Sequence, residues 1–309
     1  MDMKRVLVTG AAGFIPSSLV DLLLDHGYSV VGVDNFLSGH AENIIVHPHY
    51  VFIRADANNY QEMSSIMTRF SFDYVFHYAA VVGVKRTTDS PALVLNDIQG
   101  IKTILDLCKN TGVKRIYYSS SSEVYGEPVE IPQHEETTPL NSRLPYAVVK
   151  NVGESYLKAY QKEYGLSYCI LRFFNTYGPR QSRDFVISKF LHAANWGEDI
   201  TIYGDGLQTR TFCYIRDNLD FTLKILEEEK FVNDVVNVGH DRQYTMLELA
   251  DMIIRLTGST SKTTFLPPLK EGDMTRRQPD IHKMLGVLNR KLVDLEEGLH
   301  LIIKAEQRV

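Results

Sequence analysis

Tyr146 and Lys150 stand four positions apart, a spacing that puts both side chains on one face of a helix. An ammonium beside a phenol stabilises the phenolate, so the tyrosine becomes a usable proton acceptor near neutrality. The pair is common as a plain structural feature, and its weight depends on its surroundings. Upstream lies Ser119-Ser120-Ser121-Ser122-Glu123-Val124-Tyr125-Gly126, four hydroxyls and a carboxylate at the end of an apolar run. Hydroxyls are costly to bury without partners, so this stretch suits either a hydrogen-bonded turn or a group of hydroxyls around a substrate hydroxyl. Near the start, Thr9-Gly10-Ala11-Ala12-Gly13-Phe14-Ile15 joins an apolar run to a helical pattern. Glycines there permit a tight turn and let backbone N–H groups reach a pyrophosphate at a helix N-terminus. Asp34 closes the second β-branched run. It can accept both hydroxyls of an adenosine ribose and would repel a 2′-phosphate, which favours NAD over NADP. Asp56, after the third such run, either faces the adenine or caps a helix.

The elements that must position these residues follow from apolar patterning. Short apolar runs at 4–9, 29–33, 50–54, 74–77, 115–119 and 167–173 read as strands. Helical patterns at 17–26, 61–70, 92–110 and 146–164 fall among them. Such alternation predicts a doubly wound parallel α/β sheet of Rossmann type, with ligands at the carboxyl ends of its strands. Residues 1–178 are expected to form this NAD-binding domain. After Gly178-Pro179 the texture changes to loops such as Tyr203-Gly204-Asp205-Gly206, Pro267-Pro268 and Gly272-Asp273. Helices are expected near 186–195, 217–229, 245–256 and 293–303. Residues 179–309 thus read mainly as a smaller, mixed, substrate-binding lobe, with a run near 235–240 returning to the sheet. Glu227-Glu228-Glu229 reads as a solvated helix end.

Composition narrows the partners. The 309 residues carry 33 Lys and Arg against 38 Asp and Glu, net charge −5. No basic block suggests a nucleic acid or an anionic membrane surface as partner. Cys108, Cys169 and Cys213 are widely spaced. That pattern makes neither a disulfide framework nor a zinc site, so no metal is expected and the thiols suit a reducing cytoplasm. Residues 1–10 do not read as a signal peptide, and no apolar stretch approaches the roughly 20 residues of a membrane helix.

The order of motifs along nearly the whole chain resembles the extended short-chain dehydrogenase/reductases, the NAD-dependent nucleotide-sugar epimerases and dehydratases. The markers are Thr9–Ile15, His77-Tyr78-Ala79-Ala80, Ser119–Gly126, Pro145-Tyr146 with Lys150, the run from Leu171-Arg172-Phe173-Phe174-Asn175 to Arg180, Tyr203–Gly206, and Gln208-Thr209-Arg210-Thr211-Phe212. The resemblance implies Ser121 as the catalytic hydroxyl and Tyr146 as the base that takes a sugar hydroxyl proton. Lys150 would lower the tyrosine pKa and hold the nicotinamide ribose. It implies cofactor contacts at Gly10, Gly13, Phe14, Ile15, Asp34, Asn35, Asp56, Ala57, Ala79, Ala80, Ser119 and Phe173, besides Tyr146 and Lys150. For a nucleotide-diphosphate sugar it implies Ser121, Ser122 and Asn175, Tyr203 against the base, Arg210 on the diphosphate, and Arg276 or Arg277 as a second cation. Three departures stand out. Pro16 replaces the third loop glycine, Asp97 replaces the asparagine of an N-V-x-G motif, and no tryptophan follows Leu285-Gly286.

Three reactions share this machinery. A 4-epimerase oxidises C4, turns the 4-keto sugar and returns the hydride. A 4,6-dehydratase also removes a C5 proton, usually with an Asp-Glu pair after the catalytic hydroxyl. A decarboxylase acts on UDP-glucuronate. Here Ser122 precedes Glu123, which weakens the dehydratase reading but leaves Glu123 a candidate catalytic carboxylate. The context of Tyr146 favours a 4-epimerase acting on a UDP-sugar. A sugar-nucleotide reductase and a non-catalytic NAD-binding scaffold are the remaining alternatives. The resemblance also implies a homodimer formed through helices 92–110 and 146–164.

Overall fold

The computed structural model describes residues 3–268 and 276–306; Gly272-Asp273 lies outside them. The chain opens with β1 (Arg5–Thr9), α1 (Phe14–Asp25), β2 (Ser29–Asp34), β3 (Tyr50–Arg54), α2 (Tyr60–Phe70) and β4 (Tyr74–His77). Next come α3 (Val84–Asp89), α4 (Pro91–Leu95), α5 (Asp97–Thr111), β5 (Arg115–Ser121), α6 (Pro145–Tyr164) and β6 (Ser167–Phe173). The remainder is β7 (Thr176–Tyr177), α7 (Val186–Trp196), β8 (Ile200–Tyr203), β9 (Thr209–Thr211), β10 (Cys213–Tyr214) and α8 (Ile215–Glu227). It ends with β11 (Asp234–Val238), β12 (Gln243–Thr245), α9 (Met246–Thr257), β13 (Thr263–Leu266), α10 (His282–Leu288) and α11 (Leu295–Glu306).

Seven strands form one parallel sheet in the order β11-β6-β5-β4-β1-β2-β3. Strands β4 and β5 are buried along their whole length, which explains why they read as continuous apolar runs rather than alternating ones. The order reverses between β1 and β4, whose register runs from Val6↔Tyr74 to Thr9↔His77. At such a switch point the loops leave in opposite directions and open a crevice at the carboxyl ends of the strands. The run near 235–240 does return as β11, beside β6.

Two compact units emerge. One comprises Met1–Val124, Arg143–Arg172 and Thr222–Val236; the other comprises Tyr125–Ser142, Phe173–Phe221 and Asn237–Val309. The core of the first runs through Leu7, Val31, Met63, Val75, Ile104, Ile116, Leu157 and Ile170. The second holds three two-stranded pairs, β7 with β10, β9 with β12 and β8 with β13. Its α9 starts at a capping box, with the Thr245 hydroxyl accepting from Glu248 N–H and the Glu248 carboxylate accepting from Thr245 N–H. In this unit Asn237 accepts from the Tyr125 hydroxyl at 2.7 Å and donates to Gln133 O at 2.9 Å, which anchors the segment 125–142.

One expectation needs correcting, and one of the two readings of Asp56 falls away. The helix read over 92–110 is two helices, α4 and α5, meeting at Asn96. There Asn96 N–H bonds to Leu93 O and Gln99 N–H to Asn96 O, the tighter i→i+3 closure that interrupts an α-helical ladder. The cap of α2 is Asn59, whose side chain accepts from Gln61 N–H and Glu62 N–H, so Asp56 is not the capping residue.

Candidate active site

At the end of β1 the chain turns through Gly10 at φ +73°, and a Cβ there would lie 3.0 Å from Ala79 Cα and N. Only glycine tolerates both the left-handed conformation and that approach. The loop is held from below: Ala11 N–H bonds to Val33 O, Gly13 N–H to Gly10 O, and Ala12 N–H to Asp34 Oδ2 at 3.0 Å. Asp34 also accepts Phe36 N–H on Oδ1 at 2.7 Å. Two backbone N–H groups therefore aim this buried carboxylate, and each oxygen retains a second lone pair for a ribose hydroxyl. Helix α1 begins at Phe14, so the N–H groups of Phe14 and Ile15 have no intrahelical acceptor and fit a pyrophosphate. Pro16 is the third helical residue, where its missing N–H removes no helical bond; the first such bond is Ser17 N–H to Gly13 O.

Thr9 couples the loop to β4. Its Oγ1 accepts Tyr78 N–H and Ala79 N–H, each at 3.1 Å, and lies 2.9 Å from His77 Nδ1. With both lone pairs used, the hydroxyl proton must go to the ring, so His77 is neutral and protonated on Nε2. Burial agrees, pushing the imidazole down to about 3, with the nearby Lys150 ammonium adding to the effect. The Ala79-Ala80 turn is thereby fixed against Gly10. At the ends of the outer strands, Asn35 Oδ1 accepts Leu37 N–H, and Asp56 Oδ1 accepts Asn58 N–H just beyond the buried Ala57.

Three buried serines, Ser119 to Ser121, close β5, and the buried Ser122 follows. Lys150 donates to Ser119 O at 2.6 Å, with the Ser119 hydroxyl at 3.4 Å. Its ammonium lies 5.0 Å from the Tyr118 ring centre and 5.7 Å from that of Tyr146. Burial lowers the Lys150 ammonium from its ordinary range to about 8, and Asp97 opposes that fall. Ser121 Oγ accepts Glu123 N–H at 3.2 Å, so its own proton can serve another oxygen. Ser122 and Glu123 open a short 3₁₀ turn, Ser122–Tyr125. The first unit thus gathers the phosphate loop, Asp34, Ser119, Ser121, Ser122, Glu123, Tyr146 and Lys150.

Sequence reasoning missed the support beneath this group. Ser120 Oγ donates to Glu154 Oε1 at 2.6 Å. Glu154 in turn takes a bidentate Arg172 guanidinium, Nε to Oε1 at 2.9 Å and a terminal nitrogen to Oε2 at 2.7 Å. All three side chains are buried. The i, i+4 spacing from Lys150 to Glu154, and a lone arginine in an otherwise apolar strand, were the available signals.

The second unit carries the residues expected on the substrate side. Asn175, at φ +38°, donates through Nδ2 to Thr211 O at 3.0 Å. Arg210 on β9 is half-buried and donates to Thr209 O at 2.8 Å. The exposed Tyr203 ring has the Lys189 ammonium 5.4 Å from its centre. Arg276 and Arg277 part company: Arg276 is exposed and Arg277 is buried. Phe173, the last residue of β6, is half-buried. Among the described residues no cluster of His, Cys, Asp and Glu could hold a metal ion, and no helix is long and apolar enough to cross a membrane.

Comparison with known proteins places this arrangement. A family model, "NAD dependent epimerase/dehydratase family", matches residues 6–239. UDP-glucuronic acid decarboxylase 1 of Danio rerio is 34% identical over 322 residues, 98% of this chain and 72% of that protein. A putative UDP-glucose 4-epimerase of Methanocaldococcus jannaschii is 33% identical over 303 residues, covering 96% of this chain and 97% of that one. Among solved structures, the UDP-glucose 4-epimerase of Thermotoga maritima with UDP-glucose aligns with a TM-score of 0.92 at 34% identity, over 98% of this chain and 99% of that one. The parallel sheet, the glycine turn at its switch point and these relatives lead to one conclusion: the chain is an NAD-dependent enzyme and belongs to the NAD-dependent epimerase/dehydratase family.

Proposed function

We propose that this enzyme is a 4-epimerase acting on a UDP-sugar through a transient 4-keto sugar. The observation that carries the reading is Pro145-Tyr146-Ala147-Val148-Val149-Lys150 at the start of α6, which looks like the epimerase context. Ser121-Ser122-Glu123 after β5 provides a hydroxyl for the sugar oxygen and one carboxylate, which weakens the 4,6-dehydratase reading with its usual acidic pair. The Gly10–Ile15 loop, Asp34 and Lys150 would hold NAD, which would supply the hydride acceptor and donor for C4. Tyr146 Oη takes the proton of the C4 hydroxyl as the ketone forms and gives it back when the alcohol re-forms. The Lys150 ammonium stabilises the phenolate that stands before the proton is taken and after it is given back. Ser121 Oγ donates to the same sugar oxygen and fixes its approach to Tyr146. Asn175 and Arg210 hold the diphosphate, with Arg277 as a further cation and Arg276 as its alternative, while Tyr203 packs on the uracil. The enzyme works as a homodimer, paired through α4, α5 and α6.

A decarboxylase acting on UDP-glucuronate is the second reading. It is favoured by the same hydroxyl-Ser-Glu order and by relatives of that name at 34% identity. Proton NMR of incubations with UDP-glucose, UDP-galactose, their N-acetyl counterparts and UDP-glucuronate decides between them. The C4 epimer is expected, with no carbon dioxide and no net NADH. A UDP-pentose released with carbon dioxide, or a 4-keto-6-deoxy sugar, would overturn the proposal.

A further inference from the structure

Thr9, His77 and Tyr118 stand side by side across three neighbouring strands, Thr9 against His77 and His77 against Tyr118 in register. Contacts bind the row together. The Thr9 hydroxyl meets the His77 ring at 2.9 Å. That ring stacks on Tyr118, with centres 6.1 Å apart and planes 26° apart. The Tyr118 ring in turn has the Lys150 ammonium 5.0 Å from its centre, within the range of a cation–π contact.

Room for the ring comes from α6 itself. A Cβ at Gly153 would lie 2.3 Å from Tyr118 Oη and 2.5 Å from its Cζ. The helix can cross the ring this closely because position 153 has no side chain. Lys150 lies three residues earlier on the same helix face, and the crossing brings it to the ring. The Tyr118 hydroxyl does not explain the residue. It is buried and has no hydrogen-bond partner among the described residues, which costs stability. The ring is what the position uses.

Lys150 needs such a surface. It is 3% exposed, and its hydrogen-bond acceptors among the described residues are two neutral atoms of Ser119, O at 2.6 Å and Oγ at 3.4 Å. Two neutral oxygens leave a buried charge poorly compensated, and the negative face of an aromatic ring is a favourable place for it. The ionisable groups on the surrounding elements are mostly silent. His77 on β4 is neutral, burial holds the Tyr118 phenol neutral, and Glu154 on α6 is taken by the Arg172 guanidinium. Helix α4 has no ionisable residue. Asp97 on α5 opposes the effect of burial on Lys150.

We infer that Tyr118 is a positioning residue: its ring, set by the Thr9–His77 row and by the absence of a side chain at Gly153, is the surface on which the Lys150 ammonium rests, and through Lys150 it acts on Tyr146. The last step rests on the reading of Tyr146 as the base; the ring contact does not.

The test is NMR of the full-length NAD-loaded protein carrying 13Cε-lysine, with the Lys150 resonance assigned by its absence in Lys150→Met. Two quantities are read, the ring-current displacement of the Lys150 ε protons and the ionisation midpoint of its amine. Tyr118→Phe keeps the ring and should keep both. Tyr118→Leu fills the space without an aromatic face. Its ε protons should move downfield and its midpoint should fall by roughly one pH unit, about the worth of a desolvated cation–π contact. Gly153→Ala presses on the ring with Tyr118 intact and should shift both quantities the same way. On the alkaline side, kcat of Tyr118→Leu should fall about tenfold in step with the ammonium, with KM little changed. A folded Tyr118→Leu in which neither quantity moves overturns the inference. So does a Tyr118→Phe that behaves like Tyr118→Leu, because the hydroxyl would then be the working part. If Tyr118→Leu does not fold, Gly153→Ala decides; if neither folds, Tyr118 is a scaffold residue and the inference falls. An unchanged kcat beside a shifted Lys150 overturns the step to Tyr146. If Tyr146→Phe stays active while Tyr118→Leu shifts Lys150, the base assignment is wrong and the ring contact stands.

Discussion

The role proposed for Tyr146 is to move a proton, and the test of that role is a single oxygen. Tyr146→Phe keeps the ring that lies beside Lys150 and removes the acceptor. Turnover should drop by about 10²–10⁴-fold, the usual worth of a positioned base, with NAD affinity by titration calorimetry unchanged. Near-normal turnover would end the assignment. Ser121→Ala removes one positioning hydrogen bond and should cost about tenfold. Glu123 separates the candidate reactions. Epimerisation at C4 needs no carboxylate near C5, so Glu123→Gln should retain substantial activity, and product formed in deuterated water should carry no deuterium at C5. Deuterium at C5 together with a dead Glu123→Gln would move the enzyme to the dehydratase-like chemistry.

At the scale of elements, β5 and α6 must hold Ser121, Tyr146 and Lys150 in fixed spacing, and the Ser120–Glu154–Arg172 network is what ties them. A buried pair whose single partner is removed leaves an uncompensated charge, so Arg172→Leu should destabilise the protein by about 3–5 kcal/mol in urea unfolding. The Thr9–His77 link between β1 and β4 has a pH signature. The folded imidazole titrates at about 3 rather than 6.5, so between those values the unfolded chain binds a proton that the folded chain does not. Stability from this site is complete above pH 6.5 and declines as pH falls towards 3. His77→Gln should flatten that acid slope, and an unchanged slope in urea titrations at pH 5 and 7.5 would refute it. Five of the first six strands were legible because each is an apolar run largely buried on both faces, and β3, the partly exposed edge strand, because Tyr50–Arg54 is a β-branched and aromatic run. The small strands β7, β9, β10 and β12 were not, because two or three residues carry no periodicity and their pairing is decided by partners distant in the chain. The interruption at Asn96 was hidden for a different reason. The run 92–110 reads as one helix locally, and the join shows in the tighter closure around Asn96 and in the bonds that Val81 and Asn58 give Asp97. Gly10, Asp34, Tyr146 and Lys150 could be proposed from the sequence because their types and spacing suggest a chemistry. Glu154 and Arg172 were harder to read, because a spacing on a helix and a lone arginine in an apolar strand do not by themselves say that the two meet.

For the whole molecule, the proposed homodimer makes a prediction about surface rather than site. In the first unit, α4 and α6 expose Leu95 and Val148, with 45% and 38% of their surface accessible. Scattered apolar side chains are ordinary on a monomer, so exposure alone carries little. The resemblance supplies the reason to expect these helices to pair with a second copy, in a closed two-fold arrangement where each residue meets the same patch on its partner. A charge introduced in such a patch is met by its own copy across the axis and must lose its water. Val148→Asp should therefore convert a dimer at micromolar concentration into a monomer by sedimentation velocity. Val148 neighbours Tyr146 and Lys150, the proposed catalytic positions on the helix, so a change in turnover has a local route; Leu95→Asp, on α4, separates the two effects. Both variants should dissociate the dimer, and the Leu95 variant should keep its NAD affinity. A wild-type protein that sediments as a monomer at micromolar concentration, or a dimer untouched by both substitutions, would rule out pairing through these helices.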